Sequence, residues 1–211
     1  MLKGDFILRR RIENRVILYQ NERMTVAEEI IRNRKSVYPR FFTDQPVSDS
    51  DIWQLLEAAN WAPTHRMTEP WRFIVLQGEK KDALGDVLAS AYKEQVGASG
   101  FSERKFQSKK QKAVQSSAVL AIILQRDPEE RLPEWEELAA LSAAVQNLWI
   151  MASSLGLGGY WSSPKAITGR HEFFSLPEGQ TCYGLFYLGH HNMPEVPRER
   201  SSIQSKVQWW K

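Results

Sequence analysis

The chain holds a single cysteine, Cys182, in 211 residues, and that scarcity excludes any intrachain disulfide framework. Cys182 lies in the apolar run Cys182 to Leu188, where a small buried hydrophobe is the expected role for a thiol. Long apolar runs are missing as well. The longest, Ala118 to Leu124, is far short of the roughly 20 residues that cross a bilayer, so it reads as a buried strand and no membrane partner is expected. No charged-then-apolar signal opens the chain, and a reducing cytoplasm is the expected compartment. Excess charge of one sign is lacking too: 28 Lys and Arg stand against 25 Asp and Glu, a net charge of +3. Two basic clusters remain, Arg9 to Arg11 with Asp5, Glu13 and Glu22 nearby, and Lys105, Lys109, Lys110 and Lys112 beside Phe101 and Phe106. Neither fits a nucleic-acid module, so both read as solvated surface and nucleic acid is not an expected partner.

Several catalytic signatures are also absent. The run Gly156-Leu-Gly-Gly159 places Trp161 where a dinucleotide fingerprint needs its last glycine, and it follows a helix instead of a strand. There is no Walker A sequence and no Gly-x-Ser-x-Gly elbow. His190 and His191 are adjacent and Glu136 and Glu137 have no histidine at ligand spacing, so no metal is expected. No repeat or dividing linker interrupts the chain, and 42% hydrophobic residues suffice for one sizeable core.

What is present reads as alternating helices and strands. Thr25-Val-Ala-Glu28 is a capping box opening a helix with Val26, Ile30 and Ile31 on one face, which Pro39 should end just after Arg34-Lys35-Ser36. Ser48 should cap a second helix carrying Ile52, Leu55, Leu56 and Ala59, stopped by Pro63. A strand is expected over Phe73 to Leu76, a third helix over Lys80 to Glu94, and strands over Ala118 to Leu124 and Cys182 to Leu188. A long helix from Trp135 to Leu155 shows a seam of Leu138, Leu141, Val145, Leu148, Ala152 and Leu155, and Gly156 stops it. Ala139, Ala140, Ser142, Ala143 and Ala144 beside that seam would let a second helix approach closely.

Three segments carry the chemistry. Arg34-Lys35-Ser36 follows the first helix, the loop Ala62-Pro-Thr-His65-Arg66 leads through Pro70-Trp71-Arg-Phe-Ile-Val75 into a strand, and Gly156-Leu-Gly-Gly-Tyr-Trp161-Ser162-Ser163 leaves the long helix. In this order they resemble the FMN-dependent nitroreductase-like family, in its compact short-chain branch, over residues 25 to 211. Residues 1 to 24 would form a separate N-terminal arm. The resemblance implies an α+β fold with a mostly antiparallel central sheet flanked by helices, built as an intertwined homodimer with flavin between the chains. It also implies an NAD(P)H oxidoreductase that uses NADH or NADPH to reduce a nitroaromatic, quinone or similar small electron acceptor by ping-pong hydride transfer.

Residue by residue, the resemblance assigns Arg34 and Ser36 to the ribityl phosphate, with Arg198 and Arg200 of Pro197-Arg-Glu-Arg200 completing the clamp. Guanidinium groups suit a phosphate dianion through paired, charge-assisted hydrogen bonds. Lys35 could supply a cation near the ring, since the family's basic residue two positions after the serine is Tyr38 here. The backbone of Trp161, Ser162 and Ser163 would face the ring, and His65 and Trp61 would reach it from the second subunit. No side chain is expected to act as a catalytic acid or base, because the flavin carries the hydride. The loop departs from the commoner family form by having Met67 and Glu69, and the segment Gln95 to Gln115 is expected to cover the pocket. The C-terminal Val207-Gln-Trp-Trp210 would either pack on its own chain or extend across a partner. Two alternatives stay open: a flavin-binding relative with dehalogenating or flavin-fragmenting chemistry, and a non-enzymatic basic interaction protein.

Overall fold

The computed structural model describes residues 24–169 and 172–211, so the N-terminal arm up to residue 23, with Arg9 to Arg11, falls outside it. Helix α1 (Val26–Asn33) opens on the expected capping box: Thr25 Oγ1 accepts the Glu28 amide and the Glu28 carboxylate accepts the Thr25 amide. It ends earlier than its sequence suggests. Arg34 is its C-cap, and residues 35–37 run extended, so the Arg34-Lys35-Ser36 motif lies beyond the helix and not in its last turn. The cause is tertiary. Ser36 bridges Gly159 in parallel and the Val37 amide donates to the Gly159 carbonyl at 2.9 Å, pulling the backbone out of the helical path.

Helix α2 (Asp49–Asn60) is capped by Ser48 as expected and buries Ile52, Leu55 and Ala59. Strand β1 (Trp71–Leu76) leads to α3 (Gly78–Gly100), longer than predicted and broken at Gly97, whose φ of 63° no helix tolerates. Helix α4 (Glu103–Val114) then packs along α3. The polar segment Gln95 to Gln115 is therefore mostly helical and anchored: Lys110 pairs with Asp86 at 2.5 Å and Lys81 donates to the Val114 carbonyl at 2.6 Å. Strand β2 (Ala118–Gln125), helix α5 (Glu134–Ser154), strand β3 (Leu157–Ser162) and strand β4 (Gln180–His190) complete the order.

The sheet runs β1-β2-β4-β3 with every pairing antiparallel. Strand β2 is buried on both faces, and its period of two divides the core. Ala118, Leu120, Ile122 and Leu124 join Leu55, Leu141, Val145 and Leu148 on the α2–α5 side, whereas Val119, Ala121 and Ile123 join Leu84, Leu88 and Tyr187 on the α3 side. Close approach fixes Gly159: a Cβ there would lie 2.3 Å from the Phe186 ring, so only hydrogen fits between β3 and the core. The chain after β4 stays on the surface, leaving Trp209 82% and Trp210 92% exposed.

One charged cluster locks β2 to α5. The carboxylate of Glu137, 1% exposed, accepts the Asp127 amide at 2.9 Å and the guanidinium of Arg126, which also donates to the Leu132 carbonyl at 3.1 Å. Arg131 forks onto Asp127 at 2.7 and 3.0 Å, and this donation holds the Asp127 carboxyl down at about 2. A depressed carboxyl stabilises the fold above its unfolded value near 4, and that contribution is lost as pH falls through about 2. Urea titrations between about pH 4 and 2 should show a steeper loss of stability for the unaltered protein than for Asp127→Asn, whose neutral amide has no proton to take up. Parallel curves would contradict this account of Asp127.

Candidate functional site

Arg34 and Arg198, from opposite ends of the chain, meet where α1 ends, with Arg200 near enough for its charge to act on Arg34. Arg34 lays its guanidinium over the Trp149 ring of α5, 4.5 Å from the centroid, while Arg198 donates to the carbonyls of Arg32 and Arg34. Those carbonyls are orphans of the helix C-terminus, the negative end of its dipole, so the cations are held without a carboxylate. Arg34, Arg198 and Arg200 form no ion pair among the described residues. Burial, and after it the charges of Arg198 and Arg200, push the Arg34 guanidinium below its ordinary range.

Lys35 follows, its carbonyl accepting the Trp149 indole N–H at 3.1 Å, and its side chain lines a cleft of about 350 Å³ with His191 and Arg198. Burial first, then Lys35 and His190, lower the His191 pKa and favour neutral imidazole. Along β3, amide and carbonyl directions alternate, so if the Gly159 carbonyl takes Val37 at the outer edge, the Trp161 amide points to that same edge. The Trp161 indole turns inward over Gly184, and its Nε1 is buried with no hydrogen-bond partner among the described residues. Ser162 is half-buried at the end of β3 and Ser163 is exposed beyond it.

The structure adds a residue that the sequence reading placed on the surface. Within the basic run of α4, Lys105 and Lys109 are exposed and Lys110 is paired, but Lys112 is half-buried, its ammonium 5.5 Å from the centroid of Tyr160. Tyr38 packs on the same Tyr160 ring at 4.6 Å. Burial lowers the Lys112 pKa, and no carboxylate pairs with it among the described residues. Lys112 lines two clefts, one of about 430 Å³ with Tyr38 and Arg40, the other of about 310 Å³ with Ser162 and Tyr187. No sequence signal separates it: Lys112 stands three residues from the exposed Lys109 on the same side of the helix.

The remaining candidates lie elsewhere on the chain. His65 Nδ1 meets Glu136 Oε2 at 2.8 Å near the start of α5, and the exposed Trp61 donates its indole N–H to Glu57 at 3.0 Å. The loop between them and β1 is held in an unusual shape, with Arg66, Met67 and Glu69 at φ of 52°, 54° and 42° and Thr64 Oγ1 accepting the Glu69 amide at 3.1 Å. Glu136 and Trp149 are separated on α5 by about 20 Å of helix at 1.5 Å per residue. One chain thus assembles the three arginines with Lys35, Ser36 and the β3 edge, and does not bring Trp61 or His65 to them.

Sequence and structure comparisons agree on the relationship. The profile described as Nitroreductase family matches residues 31–190. A Bacillus subtilis (strain 168) protein provisionally named NAD(P)H nitroreductase YfhC is 30% identical over 186 residues, 86% of this chain and 93% of its own. The crystal structure of a nitroreductase-like family protein from Bacillus cereus superposes with a TM-score of 0.71 at 26% identity, covering 90% of this chain and 98% of the other. A Desulfovibrio desulfuricans nitroreductase structure in complex with FMN shares the fold, with a TM-score of 0.66 at 23% identity over 88% and 97% of the two chains. With the motif order, the antiparallel sheet and these matches in agreement, the chain belongs to the nitroreductase family.

Proposed function

We propose that this protein is an FMN-dependent NAD(P)H oxidoreductase that reduces a small nitroaromatic, quinone or similar acceptor. The observation that carries the reading is the convergence of Arg34 and Arg198, with the charge of Arg200 acting on Arg34 and none of the three in an ion pair among the described residues, although Glu195 lines the neighbouring cleft. A phosphate dianion fits such a corner by chemistry: fixed guanidinium forks supply paired donors, and the anion relieves the repulsion among them. Ser36 and Lys35 would complete the grip on the phosphate and ribityl part. When bound, FMN supplies a ring able to take a hydride from NADH or NADPH and pass it to a second substrate.

The chain's own part is positioning and charge. Trp161 would offer its outward amide to the reactive edge of the ring, with Ser162 and Ser163 continuing that border. Lys112 stands beside Tyr38, which occupies the place of the family's usual cation, and a partly desolvated ammonium there would stabilise negative charge developing on the ring. Its lack of a carboxylate partner supports this role. Lys112 is proposed in addition to Lys35, whose cleft opens towards His191.

The distance along α5 supports a homodimer. Two copies with α5 antiparallel would bring the His65 end of one chain to the arginine end of the other, joining His65 and Trp61 to each cofactor from the partner. Ala139 is exposed and Ala143 half-buried on that helix, which permits close approach of a second backbone. The exposed Trp209 and Trp210 are a further apolar surface that a second copy could cover.

Three outcomes are expected. Purified protein should be yellow and bleach with NADH or NADPH, and Arg34→Ala should weaken FMN binding roughly 10- to 100-fold, the loss of about 1.5–3 kcal/mol from a charged hydrogen bond; unchanged retention measured by fluorescence would reject the phosphate assignment. Lys112→Gln should lower the flavin midpoint potential by on the order of 30 mV, a tenfold change for a two-electron couple; spectroelectrochemistry showing no change would remove Lys112 from the site. Sedimentation should give a particle of twice the 24.4 kDa chain mass, and a monomer that retains flavin would refute the shared site.

A further inference from the structure

The cleft of about 310 Å³ between α3, α4 and the end of β3 has an unusual lining. Among the described residues its charged groups are Lys109, Lys112 and Lys165, and no Asp or Glu borders it. None of the three forms an ion pair among the described residues. Tyr187 lines it too, 1% exposed, with a hydroxyl that makes no hydrogen bond among the described residues. Burial pushes the Tyr187 phenol well up, so it stays a neutral donor. Tyr92 contributes a second phenol, committed weakly to the Gly100 carbonyl at 3.4 Å, and Ser162 joins the cleft to the end of β3.

Every polar side chain of the described lining can donate a hydrogen bond, and its full charges are all positive. Leu88 and Ala91 add apolar wall, and the volume is at the low end for small-molecule pockets, enough for a single substituted ring. A neutral acceptor would leave the half-buried Lys112 ammonium and the Tyr187 phenol without a partner, whereas a carboxylate would pair with them, the exposed Lys109 and Lys165 adding positive charge at the rim. We propose that this cleft selects the electron acceptor, and that the acceptor is a small aromatic carboxylate. The inference rests on the flavoenzyme reading above for the reaction, but the anion-binding cleft can be judged apart from it.

The test uses FMN-loaded protein and two matched acceptors, 4-nitrobenzoate and the neutral 4-nitrobenzamide. The kcat/KM ratio should favour the carboxylate by about tenfold, one well-made charged contact. Lys165→Gln and Lys109→Gln should each lower that ratio about threefold or more, and salt at about 0.5 M should lower it further by screening. A ratio near one, or one that neither substitution moves, overturns the proposal. So do a raised KM for NADPH with the acceptor ratio intact, which would make this a donor site, and loss of FMN with the ratio intact, which would give the cleft to the flavin. If neither acceptor turns over, bleaching of the flavin by NADH or NADPH judges the reductase reading separately, and calorimetric titration with benzoate decides the cleft. Benzoate binding weakened at least threefold by Lys165→Gln supports the proposal, and absence of binding overturns it.

Discussion

The site depends on one backbone contact, the Val37 amide on the Gly159 carbonyl. By docking residues 35–37 on the free edge of β3, it ends α1 at Arg34, turns that arginine over Trp149 and sets Tyr38 against Tyr160. The contact is possible because β3 approaches closely: at Gly158 a Cβ would lie 2.9 Å from Val37, and at Gly159 the room is taken by Phe186. Sheet edge, helix end and cation cluster are thus consequences of one pairing, and the antiparallel sheet behind it supplies the rigidity.

Holding three arginines together costs electrostatic energy, and the fold meets that cost with backbone dipoles. The carbonyls of Arg32 and Arg34 take the Arg198 guanidinium, so the C-terminal segment is strapped to α1 while its charge is left unneutralised. A carboxylate in the same place would have steadied the cluster and cancelled its positive charge. The contrast with the Glu137 cluster is instructive. There Arg126 faces Glu137 of α5 and Arg131 faces Asp127 within the loop that joins β2 to α5.

Much of the fold was legible in local sequence signals. The capping box at Thr25, the Ser48 cap, the doubly buried apolar run of β2 and the seam of α5 each depend on residues a few positions apart, and each formed where expected. What the sequence hid was long-range. The end of α1 is set by β3, more than a hundred residues away, so propensity alone carried the helix too far. The length of α3 and the helical character of 103–114 were missed because their polar composition resembles a loop until α3 and α4 are seen packed together. Of the candidate residues, Arg34 and Arg198 do meet, with Arg200 near, whereas His65 stands at the far end of α5 and Trp61 bonds back onto α2. Lys112 escaped notice because four lysines in one run look alike, and only burial separates one from the rest.

The span of α5 has a further consequence if two copies share each flavin. Assembly and cofactor loading then become one linked equilibrium: each flavin bound tightens the pairing of chains, and dilution loosens both together. A chain defective in its arginines and another defective in its His65 loop could restore one complete site when combined, since each would lend the half the other lacks.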